Sequence, residues 1–143
     1  MKRRLHPLGL LAGCGLTLAV GAATLAPAIN WSSNLFTKDN FRSLTLHGAR
    51  ASFSATDEVD VIDLHLTAYS GDSANKVETV VQAPTALFQP RQNIARGETG
   101  VQVVRDDLTA SGTHWIYDHG QKKVSLTGKV RIVFNSEIKA ILK

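Results

Sequence analysis

Five histidines, one cysteine and one run of acids are the side chains in this 143-residue chain with the most obvious capacity for chemistry. The histidines are His6, His47, His65, His114 and His119. His114 and His119 stand five residues apart across a predicted strand, where alternation puts them on opposite faces and argues against a shared metal ion. His47 and His65 fall on the polar parity of their strands and are expected to face solvent. Asp118-His119 with a distant serine is a pairing that any chain of this size offers by chance. No Gly-x-Ser-x-Gly elbow, His-Glu-x-x-His helix or phosphate-cradling glycine loop accompanies it. Asp57, Glu58, Asp60 and Asp63 lie close enough to suggest a calcium loop, but the glycine of its sharp turn and its closing bidentate glutamate are missing. That run reads as a solvated edge or turn. Cys14 is the only cysteine, so the rest of the chain can form no internal disulfide and hold no thiolate metal site. No catalytic residue, metal or cofactor is expected, and the chain reads as non-enzymatic.

The elements that must position these side chains are strands. From Leu44 onward apolar residues recur at period two. Leu44 and Leu46 alternate with Thr45 and His47, and Ala51 and Phe53 follow Gly48. Ile62, Leu64, Leu66 and Ala68 alternate with Asp63, His65, Thr67 and Tyr69. Val77, Thr79, Val81 and Ala83 share a side, then Val101 and Val103, then Trp115 and Tyr117 around Ile116. Val124, Leu126, Val130, Ile132 and Phe134 keep even parity. Turn chemistry separates the runs, as at Ser70-Gly71-Asp72, Gln89-Pro90-Arg91, Arg96-Gly97-Glu98, Asp118-His119-Gly120 and Thr127-Gly128. Short strands at this spacing, each with one wet face, predict an all-β fold of antiparallel hairpins: a sandwich or an open, V-shaped jelly roll. Aromatic residues are only 6% of the chain. An interior that thin serves as a closed core or as a groove.

Charge and hydropathy divide the N-terminus from the rest. Three of the sixteen Lys and Arg residues are Lys2, Arg3 and Arg4, leaving thirteen against twelve Asp and Glu. The bulk is near neutral, without the concentrated basic face of a nucleic-acid binder. Leu8 to Ile29 carries no charge, and a helix of that length crosses the roughly 30 Å apolar core of a bilayer. Positive charge before it keeps that end cytoplasmic and sends the remainder outward. Three fates are open: an uncleaved anchor helix, taken first; cleavage after Ala26-Pro27-Ala28; or lipidation of Cys14 in Leu11-Ala12-Gly13-Cys14. The expected division is an N-terminal signal-anchor over 1–30 and an exported β-domain over 31–143, with Trp31 at the membrane interface or in the linker. A domain of that size buries about two-thirds of its unfolded-chain surface and can stand on its core alone.

Several phrases in the second half resemble one family. Tyr117-Asp118 forms a turn, and Val124-x-Leu126-x-Gly128-x-Val130 a strand pair followed by the apolar Ile132-Val133-Phe134. Ala83-Pro84-Thr85-Ala86-Leu87-Phe88 is similar to an upstream strand. Together they resemble the LptA/LptC (OstA-like) family of lipopolysaccharide-export proteins, over about Leu44 to Phe134. The β-region is short for that family, so a terminal strand or two are expected to be missing. The apolar N-terminus looks like the LptC branch, which keeps one inner-membrane helix.

The resemblance implies a jelly roll that accepts lipopolysaccharide from an inner-membrane ABC transporter complex. It would pass the lipid along an apolar groove to a downstream periplasmic bridge protein of the LptA type. It also implies a single-pass inner-membrane protein with its C-terminal domain in the periplasm; the near-neutral charge of the bulk argues against a nucleic-acid partner. Residues expected to line the groove are Leu44, Leu46, Phe53, Ile62, Leu64, Leu66, Val101, Val103, Trp115, Val124, Leu126, Val130, Ile132 and Phe134. The expected docking edge is the C-terminal segment with Ser136, Ile138, Ala140 and Leu142. Two other readings stay open. One is a membrane-anchored, protein-binding β-module with a closed core, and the other is a carrier of a different amphiphile.

Overall fold

A computed structural model describes residues 26–54 and 57–135. The expected apolar helix and the expected docking residues Ser136, Ile138, Ala140 and Leu142 lie outside them. Within them the chain is all-β, an open antiparallel sheet that does not close into a barrel. Ten strands follow one another: β1 Ala28–Phe36, β2 Arg42–Phe53, β3 Val59–Tyr69, β4 Val77–Gln89, β5 Ile94–Gly97, β6 Val101–Arg105, β7 Leu108–Gly112, β8 His114–Asp118, β9 Lys123–Thr127 and β10 Arg131–Phe134. Ala28 to Asn30, counted with the apolar segment in the sequence, are the start of β1.

The short strands are halves of long ones, broken on one line. Ile29 faces Arg50 and Trp31 faces Gly48, which leaves Asn30 against Ala49. Ile62 faces Thr85 and Leu64 faces Ala83, which leaves Asp63 against Pro84. The line continues through Gly100, whose N–H donates to the Thr113 carbonyl at 3.0 Å, and through Thr113, whose N–H donates to that of Gly128 at 2.9 Å. Left-handed backbone marks it, with φ of 50° at Asn30, 55° at Asp63, 112° at Gly100, 74° at Gly128 and 49° at Lys129. Glycine and asparagine tolerate that conformation best. Pro84 sits mid-strand, where proline is normally excluded. On this line the ladder is interrupted on both sides, so its missing N–H costs no sheet bond.

Pairing register is the same on either side of the line, so the irregularity is shared by all strands and is not a bulge in one. Its effect is to change parity. In β2 the buried positions pass from Leu44 and Leu46 to Ala51, in β3 from Val59 and Val61 to Leu64 and Leu66, and in β4 from Val81 and Ala83 to Ala86 and Phe88. One side of the sheet therefore stays apolar on both sides of the seam. The first leaf runs β1-β2-β3-β4-β6-β7-β10 and the second β1-β2-β3-β4-β5-β8-β9.

The leaves fold onto each other. Ser43 in the first leaf and His119 beyond the second leaf's β8 are each about six residues from the seam. At about 3.3 Å per residue a flat sheet would hold them roughly 40 Å apart. Their side chains are 3.2 Å apart. One contiguous core fills the fold, including Leu44, Leu46, Leu64 and Leu66 of the first leaf and Phe88, Trp115 and Tyr117 of the second. Two glycines permit this packing. A methyl group on Gly48 would collide with Val61, and one on Gly97 would collide with the Trp115 indole and stand 2.8 Å from the Thr85 carbonyl oxygen.

Strict alternation through β3 would bury Ile62 with Leu64 and expose Val61. The seam reverses this: Val61 is 1% exposed and Ile62 45%. Val61→Ala should cost about 2 kcal/mol and Ile62→Ala less than about 1 kcal/mol, measured as shifts in urea unfolding. The opposite order would contradict the seam.

Candidate functional site

The feature of this fold most suited to binding is the inward face of the sheet. Leu44, Leu46, Leu64, Leu66, Val101, Val103 and Trp115, all expected to line a groove, point inward and are buried. They come together, but in the middle of the molecule they pack on one another. Val124 and Leu126 on β9, opposite Tyr117 and Trp115, are half-buried against the same core. Ile132 and Phe134 lie opposite Ala110 and Leu108 of β7, on the inward side of the first leaf. They are nevertheless 49% and 66% exposed, and Val130 beside them is also exposed. The cause is their place on β10, an edge strand among the described residues, beyond the reach of the facing leaf. Phe53 has a similar position at the other edge, paired with buried Val59 and meeting Trp31 edge-on at 6.4 Å. Trp31 is therefore a strand residue packed against the core.

Ile62 is a correction to the expected lining: it points outward, because Asp63 spends one residue on the seam. Val59, Val61, Val81 and Phe88 are buried in its stead. Val81 already shared a side with Thr79 and Ala83 in the sequence, but without the seam the sides of Val59, Val61 and Phe88 could not be assigned.

Polar chemistry on the outer side is dispersed. His47 and His65 face each other across β2 and β3 and are exposed, as expected. His114 is exposed at the seam end of β8, with Nδ1 3.1 Å from Thr113 Oγ1. Among the described residues no three His, Cys, Asp or Glu side chains gather around a metal position. In the acidic run, Asp57 pairs with Arg91, and Glu58 accepts from Gln89 Nε2 at 3.3 Å. A concavity of about 650 Å³ on the outer side of the second leaf presents the charges of Asp60, Arg96 and Glu98 beside His114, a lining unsuited to an apolar ligand.

His119 does find the distant serine. Its Nε2 is 3.2 Å from Ser43 Oγ, and its Nδ1 is 2.9 Å from the Tyr117 hydroxyl. Ser43 is placed by a register shift: Leu35 faces Leu44 but Phe36 faces Arg42, so Ser43 is the extra residue. A bulge re-aims its side chain, and Ser43 is buried beside Leu44. The Ser43 hydroxyl donates to the Leu35 carbonyl at 3.2 Å. It must then accept from His119 Nε2–H, which leaves Nδ1 to accept from the Tyr117 O–H. One proton arrangement with neutral imidazole thus satisfies the chain. Burial first, then the charge of Lys122, lowers the His119 pKa from its ordinary value, against the opposing pull of Asp118. Burial first, then the charge of Glu78, pushes the Tyr117 phenol up to about 12, with Arg105 opposing. The serine is buried and its proton is committed to a backbone carbonyl, so the three groups tie the leaves together and do not present a nucleophile. No protein-family model matches the chain, and no curated protein matches it.

Two checks follow from this geometry. Ile132→Ser with Phe134→Ser should change stability by less than about 1 kcal/mol, whereas Trp115→Ala should cost roughly 3–5 kcal/mol. A phenol whose folded pKa is raised contributes stability below its unfolded pKa of 10 and loses it as pH rises through about 12. Tyr117→Phe should therefore be about 1 kcal/mol less stable than the parent at pH 8, through the lost hydrogen bond. That deficit should shrink or reverse near pH 12 in parallel urea titrations.

Proposed function

We propose that this chain is a non-enzymatic carrier in lipopolysaccharide export. It accepts the lipid from an inner-membrane ABC transporter complex and passes it along the apolar inner face to an LptA-type periplasmic bridge protein. In this reading the folded sheet is the V-shaped jelly roll of that family. The observation that carries it is an apolar face that runs from edge to edge of the sheet and, among the described residues, is half covered at β9 and exposed at β10. Acyl chains suit such a face, at about 0.8 kcal/mol per buried CH₂, while the sugar head stays in water.

Residues that carry the family resemblance also support the reading, because Pro84 and Gly128 both lie on the seam that folds the sheet. Edge strands that end the sheet are ordinarily a liability. In a carrier they are docking edges, extended by the next protein's sheet. The N-terminal apolar segment would hold the protein in the inner membrane with its β-domain in the periplasm. The packed middle of the interior favours a second reading, a membrane-anchored β-module that binds a protein partner and carries no lipid.

Photo-crosslinking separates the two. A photoreactive residue at Leu126, Ile132 or Phe134, in protein expressed in a Gram-negative cell, should give adducts recognised by an antibody to lipopolysaccharide. The outward neighbours Thr127, Arg131 and Val133 should give none. Absence of adducts at all six positions in folded, exported protein would favour the closed module. Adducts with another lipid would make the chain a carrier of a different amphiphile.

A further inference from the structure

The middle of the inner face is sealed, with Leu46, Leu66 and Val81 wholly buried and Trp115 and Tyr117 2% exposed. A long apolar ligand can lie there only if the leaves part. Parting has a natural axis in the seam, where left-handed residues and Pro84 replace regular ladder. It also has an obstacle at the rim opposite the seam. There the β8–β9 turn of the second leaf is fastened to the first leaf by the Tyr117–His119–Ser43 chain, and by Lys122 Nζ to Glu78 Oε2 of β4 at 3.4 Å.

We infer that Ser43, His119 and Tyr117 form a proton-operated clasp that holds the two leaves together at their free rims and releases them when the imidazole is protonated. The imidazole is well placed for this. Its backbone is held, the N–H donating to the Asn93 carbonyl at 3.1 Å, so its side chain is the part free to change partners. Protonation puts a hydrogen on Nδ1, so the Tyr117 O–H must turn away and its oxygen accept instead, and it places a cation in a half-buried rim. The charged groups around it are Asp118 and Lys122 of its own turn, Glu78 of β4, and Arg105 of β6 acting on Tyr117. Glu78 is engaged by Lys122, and the Asp118 carboxylate accepts from the Gln121 N–H at 3.2 Å. Arg42, next to Ser43, is held over the Tyr69 ring at 5.6 Å.

The sign is set by linkage. Closed leaves keep the His119 pKa below its ordinary value of 6.5. The closed form therefore binds fewer protons than the open one. It is favoured above about pH 6.5 and loses that advantage as pH falls through the lowered pKa. Admission of cargo on opening rests on the carrier reading; the clasp itself does not.

The test measures rim separation and ligand binding independently. In the full chain carrying Cys14→Ser, spin labels at Asp39→Cys and Gln121→Cys report the distance between the β1–β2 and β8–β9 turns. The distribution should be narrow at pH 8 and shift outward at pH 5. Ser43→Ala should broaden it at both pH values. His119→Gln, an amide of similar reach that does not titrate in this range, should remove the pH response. An unchanged distribution in every case, or a pH response that survives His119→Gln, overturns the clasp. Binding of cis-parinaric acid, an acyl probe, should rise severalfold between pH 8 and pH 5 in step with the separation. Leaves that part without binding the probe would leave the clasp standing and count against the carrier reading. Leaves that stay shut overturn the clasp whatever the probe does.

Discussion

Asn30, Asp63, Gly100 and Gly128 stand on one line across the sheet, which β1 to β4 cross and the six shorter strands abut, and each of these four residues is in left-handed backbone. That shared interruption is the constraint on which the rest of the molecule depends. A regular antiparallel sheet of this length would be a twisted ribbon with one apolar side open to water. Spending one residue per strand at the same level changes the parity of every strand together. It lets the sheet fold while its apolar side stays inside on both leaves. Because register is preserved across the line, no strand is displaced relative to its neighbours, and the ladders resume at once on the far side.

Closure then follows from the side chains, and so does its incompleteness. Leucines at 44, 46, 64 and 66 of the first leaf share one core with Trp115 and Tyr117 of the second, and alanines at 51, 86 and 95 leave room on the second leaf for the larger rings. The Trp115 Nε1 is buried without a hydrogen-bond partner among the described residues. An unmet buried donor costs roughly 1–3 kcal/mol, a cost set against the burial of the largest apolar side chain in the core. Among the described residues no further strand continues the leaves beyond β9 and β10, and the same inward parity that buries Leu44 leaves Phe134 in solvent. Core and exposed apolar edge are thus one surface, differing only in whether a leaf lies opposite.

The sequence displayed the strands well because each half-strand keeps clean alternation: Leu44-Leu46, Leu64-Leu66, Val101-Val103, Trp115-Tyr117. It displayed the seam poorly. Gly48 and Gly128 were visible as breakers, yet each reads locally as a turn or an irregular strand, and Pro84 fell inside a strand phrase. Only pairing between strands puts them on one line. Ile62 was misassigned for that reason, since alternation continued through Asp63 predicts the wrong side. The clasp was less legible still. Ser43 turns inward through a bulge that depends on how β1 pairs with β2, and its partner is 76 residues away. The apolar face, the larger part of the candidate site, was legible from parity alone. Whether any stretch of it is covered was not, because parity says nothing about what lies opposite.

The two functional readings share this architecture and differ in a free-energy balance. Opening the leaves returns apolar surface to water at about 25 cal/mol per Å², so each 100 Å² exposed costs roughly 2.5 kcal/mol. An acyl chain laid in the opened cleft covers that surface again and buries its own methylenes, at about 0.8 kcal/mol each. Ten or so methylenes, at about 8 kcal/mol, offset the exposure of roughly 300 Å² of leaf surface. What the ligand cannot replace is the polar tie at the rim, because an acyl chain offers no partner to Ser43 or His119. A carrier built on this fold would therefore be limited less by its apolar core than by the few hydrogen bonds that close it.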